Sequence, residues 1–236
     1  KRSCLEVYCR DLKEANRCHK QFGGEVRKLR EAQWMDSQQR RFFMALPPVC
    51  CLVSPEAEIS ERYQELPRVE IPAALAFGTG EHATTSMCLR RLTESPDGCG
   101  KRLLDAGTGS GVLALVAALA GYDVTAVDND PEAIEECRRN AKRNPKVPEI
   151  DWQVGDVSSL DTRKRYHRIM ANLYLNILGQ ALPKFRKVLD RAGDLTLSGI
   201  MADQESEAMD LLKSNGFRLV RRYRKGRWLC LSARPQ

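Results

Sequence analysis

The chain has 236 residues, 42% of them hydrophobic and 29% charged, with 38 Lys and Arg against 31 Asp and Glu and a formal net charge of +7. At about 100–200 residues per domain, that length allows one large domain or a medium one with a small companion, and the apolar content suffices for a core without disulfides or metal. Disorder and a collagen-like repeat are excluded, and the longest apolar run, the nine residues Val112–Ala120, falls well short of the roughly 18–20 that cross a bilayer.

The first 66 residues carry a short β-α-β pattern: Cys4–Cys9, then Asp11–Phe22 closed by Gly23-Gly24, then Val26–Leu29. A polar helix spotted with aromatic residues follows over Glu31–Phe43, and Pro47-Pro48 ends it. Trp34, Phe42 and Phe43 recur there at near-helical spacing and are assigned to packing rather than to a binding stripe. Residues 1–66 are read as a small α+β appendage and linker, with the boundary near Pro67–Pro72 and the main domain over 67–236.

From Lys101 onward short apolar strands alternate with helices. Arg102–Gly107 runs into a glycine-rich turn and then into the alanine-rich stretch Val112–Ala120. Asp123–Asp128 is the second strand, followed by a helix that Asp130-Pro131 opens and that ends near Asn144; Asp caps and Pro fits the first turn. The third, fourth and fifth strands cover Asp151–Asp156, Tyr166–Leu173 and Asp194–Gly199, and Arg218–Lys225 with Arg227–Ala233 form a β-hairpin around Gly226. The alternation predicts an α/β fold, a mainly parallel sheet covered on both faces, with the hairpin adding antiparallel strands.

Nine cysteines, at positions 4, 9, 18, 50, 51, 88, 99, 137 and 230, form an odd set with no C-x-x-C pair. That is the usage of a cytoplasmic protein with reduced thiols. A zinc site from Cys4, Cys9, Cys18 and His19 is disfavoured because the spacings do not bring two tight ligand pairs together, so no metal is expected. The chain begins at Lys rather than Met, and the residues present show no signal-peptide pattern.

The chemistry concentrates at Asp105-Ala-Gly107-Thr-Gly109-Ser-Gly111, where strand turns into helix. Glycines there permit positive φ and let a ligand approach the backbone, while the helix that follows offers unpaired N–H groups. Asp128, at the end of the next strand, is placed to accept both hydroxyls of a ribose. Dinucleotide sites use G-x-G-x-x-G under a pyrophosphate; here the pattern is G-x-G-x-G with an acid, Asp105, two residues before the first glycine. A carboxylate repels a pyrophosphate and attracts an ammonium, so S-adenosylmethionine is favoured over NAD. Asp156, ending the third strand, is read either as an acceptor for the adenine amino group or as an ordinary turn acid.

Phe77-Gly-Thr-Gly80-Glu-His82-Ala-Thr84-Thr85 resembles the F-G-T-G-x-H-x-T-T signature of the PrmA family, which methylates ribosomal protein L11. The likeness continues through DAGTGSG, Val127-Asp128, Ala171-Asn172-Leu173 and Leu197-Ser198-Gly199-Ile200, and spans about Glu31 to Arg234. It implies a Rossmann-like class I methyltransferase sheet, with Thr85, Gly107, Asp128 and Asn172 contacting the cofactor. Gly109, Asp105 and Asp156 join that set from the reading above. The implied activity is methyl transfer to a lysine or N-terminal amine of a ribosomal protein. A related enzyme acting on another protein or on RNA, and a catalytically silent binding module, are the alternatives. The family recognises its substrate with an N-terminal ferredoxin-like domain, of which the residues here form about half, and its H-P-T-T appears as H-A-T-T.

Methyl transfer needs an aligned, neutral nucleophile. Asn172 carries no charge and cannot act as a base, but its amide oxygen can accept an amine's hydrogens and aim its lone pair. His82 is assigned to a helix start or to packing, and His19 and His167 to solvated positions. From Lys213 to Gln236 there are eight basic residues and no acidic ones; subtracting those eight from +7 leaves −1 for the other 212 residues. The excess charge therefore lies in the hairpin, Arg221 to Trp228. Two readings fit it equally: contact with ribosomal RNA, and a charged sheet edge that discourages strand pairing.

Overall fold

A computed structural model of the protein describes residues 12–24, 26, 42–55, 57–72, 82–94 and 96–236. Internal contacts divide the chain into two compact units, Lys1–Gln38 and Gln39–Gln236. In the first, helix α1 covers Leu12–Phe22, and Gly23, with φ +69°, donates its N–H to His19 O at 2.9 Å. The strand expected at Cys4–Cys9 and residues 31–41 of the expected helix lie outside the described residues, as do residues 27–29.

The second unit opens with a small sheet where a helix and linker were expected. Strands β1 (Phe43–Leu46) and β2 (Cys50–Val53) form an antiparallel hairpin around Pro47-Pro48, and β3 (Arg68–Glu70) adds parallel to β2. Phe43 thus begins a strand rather than ending a helix. All four residues of β2 are buried, so the segment shows no two-residue alternation to mark it as a strand. The unit boundary falls at Gln39, not at 66/67, because Phe42, Leu46, Leu52, Val69 and Ile71 share one core with Met87, Leu89 and Val112–Ala118. Each such side chain contributes about 1.5–3 kcal/mol when fully buried; the prolines at 67 and 72 flank β3 instead of marking a linker.

The main sheet contains β4 (Arg102–Ala106), β5 (Asp123–Asp128), β6 (Asp151–Val154), β7 (Tyr166–Asn172), β8 (Leu189–Met201), β9 (Phe217–Lys225) and β10 (Trp228–Pro235). Its order is β6-β5-β4-β7-β8-β10-β9, parallel from β6 to β8 and antiparallel in the last three strands. Helices α2 (Ala83–Thr93), α3 (Val112–Leu119), α4 (Pro131–Arg143), α5 (Leu175–Val188) and α6 (Glu205–Ser214) complete the unit. This is the doubly covered sheet with a closing hairpin that the alternation predicts. The period-two geometry of the strands sorts neighbours between two cores: Leu103, Val124, Ala126 and Met170 face one, and Leu104, Val127, Ile169 and Ala171 the other.

Several contacts fix α2, which carries the Thr84-Thr85 pair. Arg168, buried within the sheet, donates to Arg91 O at 2.6 Å and Leu92 O at 3.3 Å in the last turn of α2, where a cation complements the helix dipole. Nearer the helix start, Lys225 Nζ donates to Ser86 Oγ at 3.0 Å. Among the described residues no helix is long and apolar enough to cross a membrane.

Candidate functional site

The parallel strands β6, β5, β4, β7 and β8 all end on one side of the sheet. From β4 the chain proceeds to β5 and β6 in one direction, then returns to β7 and β8 in the other. The crevice beyond β4 and β7 is therefore the switch point, where a sheet of this kind opens to a ligand. Asp156, Asp128, Gly107 and Asn172 stand in that order along the strand ends.

The turn after β4 is tied down by backbone bonds. Gly107 N and Thr108 N both donate to Val127 O, at 2.8 and 3.1 Å, and Gly109 N donates to Asp128 Oδ2 at 2.9 Å. Helix α4 secures the far side: Cys137 Sγ donates to Gly109 O at 3.1 Å and Asn140 Nδ2 to Ser110 O at 2.9 Å. Gly107 has φ +73°, and a Cβ there would lie 2.3 Å from Leu173 Cδ2. Only glycine meets both demands.

Each carboxylate has a distinct setting. Asp105 is wholly buried; Thr108 Oγ1 donates to its Oδ2 at 2.6 Å, and its Oδ1 has no hydrogen-bond partner among the described residues. Burial pushes this carboxyl up to about 7, against the Thr108 hydrogen bond, and the Asp128 charge pushes the same way as burial. Asp128 accepts from Gly109 N on one oxygen and from Asp130 N at 3.1 Å on the other, leaving a further lone pair on each. Asp156 caps a short 3-10 turn by accepting from Ser158 N at 2.7 Å, and these bonds hold its carboxyl below its ordinary range. Gly155 N donates to Asp128 O at 2.8 Å, so the two acids sit on adjoining strand ends.

Across the crevice, Asn172 Nδ2 donates to Thr85 Oγ1 at 3.2 Å, joining the end of β7 to the first turn of α2. Leu173 is wedged beside them. Its N–H donates to Ser198 O at 3.1 Å, and a Cβ on Gly199 would lie 2.4 Å from Leu173 O. Gly199 has φ +83° and is the residue skipped in the β8–β10 register, a bulge that admits the Leu173 backbone. His82 caps α2, pairs through Nδ1 with Thr84 Oγ1 at 2.7 Å and stands edge-on to Trp228 with ring centroids 5.1 Å apart. Phe77–Glu81 lies outside the described residues.

Thr108, Cys137, Asn140 and Leu173 brace the site, a part that the local sequence does not assign to them. Helix α4 alone carries a readable hint, since Cys137 and Asn140 are three apart and face the same way. Of the zinc candidates only Cys18 and His19 are described, and no metal-holding group of three occurs among the described residues. In the hairpin, Arg222 pairs with Glu205 at 2.7 Å, Arg221 with Glu94 at 3.7 Å, and Arg227 lies over the Trp228 ring at 5.8 Å. The arrangement as a whole can hold a ligand with a vicinal diol and a positive charge beside an amide that accepts hydrogen bonds.

Residues 3–236 match the family described as ribosomal protein L11 methyltransferase (PrmA). A relative of that name from Thermus thermophilus is 30% identical over 211 residues, covering 89% of this chain and 81% of its own. One from Sorangium cellulosum is 37% identical over 182 residues, covering 76% and 56% respectively. The chain thus spans only about half the length of some of the curated relatives it matches. The crystal structure of a ribosomal protein L11 methylase from Lactobacillus delbrueckii subsp. bulgaricus superposes with a TM-score of 0.73 at 25% identity, over 82% of this chain and 98% of that one. The fold is accordingly that of the class I methyltransferases, and the chain belongs to the ribosomal protein L11 methyltransferase (PrmA) family.

Proposed function

We propose that the chain binds S-adenosylmethionine at the C-terminal ends of β4, β5 and β6 and transfers its methyl group to an amine of a ribosomal protein, L11 by family membership. The observation that carries this reading is the bond from Asn172 Nδ2 to Thr85 Oγ1 at 3.2 Å, beside the glycine turn. It commits the amide nitrogen and leaves the amide oxygen as an acceptor at the crevice. The residues present suit the cofactor. Asp128 keeps a free lone pair on each oxygen for a ribose diol, and the orphaned Asp105 oxygen is a buried acceptor beneath the turn, on a carboxyl that burial pushes up to about 7 and that a cationic amino acid bound there would pull back towards its ionised form.

Bound there, the cofactor supplies an electrophilic methyl carbon on a sulfonium, open to in-line attack. The chain does the rest by placement. Asp128 accepts from the ribose hydroxyls and the spare oxygen of Asp156 from the adenine amino group, while the 107–111 turn closes against the amino-acid end. Asp105 acts through its field, since its oxygens are covered. Asn172 Oδ1 accepts the hydrogens of the incoming amine and directs its lone pair; such positioning is worth several kcal/mol. A free lysine titrates near 10.4, so the amine must be desolvated beside the sulfonium to enter neutral.

We place the protein in the cytoplasm with its ribosomal substrate. The hairpin contributes at most a weak contact with ribosomal RNA, because Arg221 and Arg222 are paired with acids, and its stronger role is guarding the sheet edge formed by β9. Calorimetric titration with S-adenosylmethionine followed by labelling of separated ribosomal components tests the proposal. Label in a ribosomal protein is the expected result; label confined to RNA, or no binding at millimolar cofactor, overturns it.

A further inference from the structure

A second feature lies at the other end of the sheet. A cavity of about 400 Å³ is lined by Arg165, Arg186, Lys187, Leu189, Asp190 and Arg191. Arg165 immediately precedes β7, Arg186 and Lys187 form the last turn of α5, and residues 189–191 begin β8. Tyr166 pairs with Leu189 and Arg168 with Asp194, so the four residues Asp190–Gly193 bulge out opposite His167 alone. That bulge turns Asp190 and Arg191 aside and opens the cavity.

Its charge is unbalanced. The nearest acid, Asp190, has its Oδ2 3.5 Å from His167 Nε2. Among the described residues none of Arg165, Arg186, Lys187 and Arg191 has a carboxylate at ion-pair distance. Several other cations on this end do have acids: Arg163 with Asp161 at 2.9 Å, Lys164 with Asp151 at 3.0 Å, Lys101 with Asp97 at 2.6 Å and Arg234 with Asp194 at 2.8 Å. Arg186 and Lys187 also complement the C-terminal dipole of α5, which does not account for Arg165 and Arg191 on separate segments facing the same space. Four cations line one cavity, three of them arginines, whose planar forks match phosphate oxygens.

We propose that this cavity is an RNA-binding site that takes phosphodiester groups. The choice of RNA among phosphate polymers rests on the reading of the substrate as a ribosomal protein. Arg165 and Asn172 stand at opposite ends of β7, seven residues or about 23 Å apart, so RNA held here leaves the methyl-transfer crevice free. The cavity, rather than the hairpin, is then the principal RNA contact.

The test is fluorescence anisotropy of a labelled single-stranded RNA with the full chain at about 50 and 200 mM salt. The triple variant Arg165→Ala/Lys187→Ala/Arg191→Ala is expected to bind about 10–100-fold more weakly, with a log K against log salt slope reduced by about 2. The hairpin variant Arg218→Ala/Arg224→Ala/Arg227→Ala is expected to change affinity by less than about threefold. Circular dichroism verifies folding, and Arg191→Glu, a single exposed change, repeats the test should the triple variant unfold. Wild-type affinity in the cavity variants, loss of binding in the hairpin variant alone, or binding to phosphatidylserine vesicles in place of RNA overturns the inference. Titration with S-adenosylmethionine keeps the two proposals apart: a chain that binds cofactor but no RNA loses this inference and retains the methyl-transfer reading.

Discussion

Asn172 and Thr85, 87 positions apart in sequence, meet through a single hydrogen bond of 3.2 Å, and Thr85 is only 1% exposed. The bond orients the Asn172 amide at the crevice and links it to α2, which Arg168 and Lys225 hold in place. Replacing Asn172 by Ala is expected to lower methyl transfer by about 10²–10³-fold, the range for removing one aligned polar group from a reacting centre, with cofactor affinity nearly intact. Thr85→Val frees the amide to rotate and lowers the rate by about tenfold, a hydrogen bond's worth, whereas Thr85→Ser retains it. Single-turnover rates beside calorimetric Kd values separate the two effects; loss confined to Kd shows that Asn172 binds cofactor only.

Asp128 both holds the turn and offers acceptors to a ligand. Its replacement by Ala is expected to weaken S-adenosylmethionine by about 1.5–3 kcal/mol, or roughly 10–150-fold. Loss of the Gly109 N–H acceptor costs a further ~1 kcal/mol of stability, readable in urea. An unchanged Kd by calorimetry places the ribose elsewhere.

Gly107 and Gly199 both press on Leu173, through different atoms. A Cβ on Gly107 strikes the Leu173 side chain at 2.3 Å, and one on Gly199 strikes its carbonyl oxygen at 2.4 Å. Gly107→Ala and Gly199→Ala are each expected to destabilise the chain by about 1–3 kcal/mol. Adding Leu173→Ala relieves the clash at 107, leaving the φ strain, and does nothing for 199. Double-mutant cycles by urea denaturation measure the contrast; equal coupling at both positions contradicts the geometry.

Asp105 makes stability depend on pH. Its carboxyl titrates near 3.8 unfolded and about 7 folded, raised by burial. Between those values the folded chain keeps a proton that the unfolded chain has released, so stability falls as pH rises from about 4 to 7 and levels off above. The loss is on the order of 1–4 kcal/mol. Asp105→Asn removes that slope while keeping an acceptor for Thr108; denaturation at intervals across the range reads it, and a slope that persists in the variant belongs to another group.

Much of the fold is local enough to read from residues alone. Asp130 followed by Pro131 caps α4 as expected, with Asp130 Oδ1 accepting from Glu132 N at 2.8 Å. The glycine turn after β4, Asp128 at the end of β5 and the hairpin around Gly226 also lie where the pattern puts them, because turns and caps are set by residues within a few positions of one another. β2 is hidden for the opposite reason: burial on both faces erases the alternation that identifies a strand, and its pairing with β1 and β3 makes it one.

Charge shows the same division. Counting along the chain locates eight basic residues in the last 24 and assigns the excess to the hairpin. The folded chain pairs Arg221 with Glu94 at the end of α2 and Arg222 with Glu205 of α6, and brings Arg165 to the run Arg186–Arg191, whose cations have no carboxylate at ion-pair distance among the described residues. No short sequence window joins Arg165 to Arg186–Arg191, and none contains Asn172 with Thr85. The sequence by itself determined the family, the parallel sheet, the glycine turn and the acids at the strand ends, since these follow from local chemistry. Tertiary structure alone decided which distant side chains share a space, because the field and hydrogen bonding of a group depend on neighbours that the crossovers of the sheet bring together.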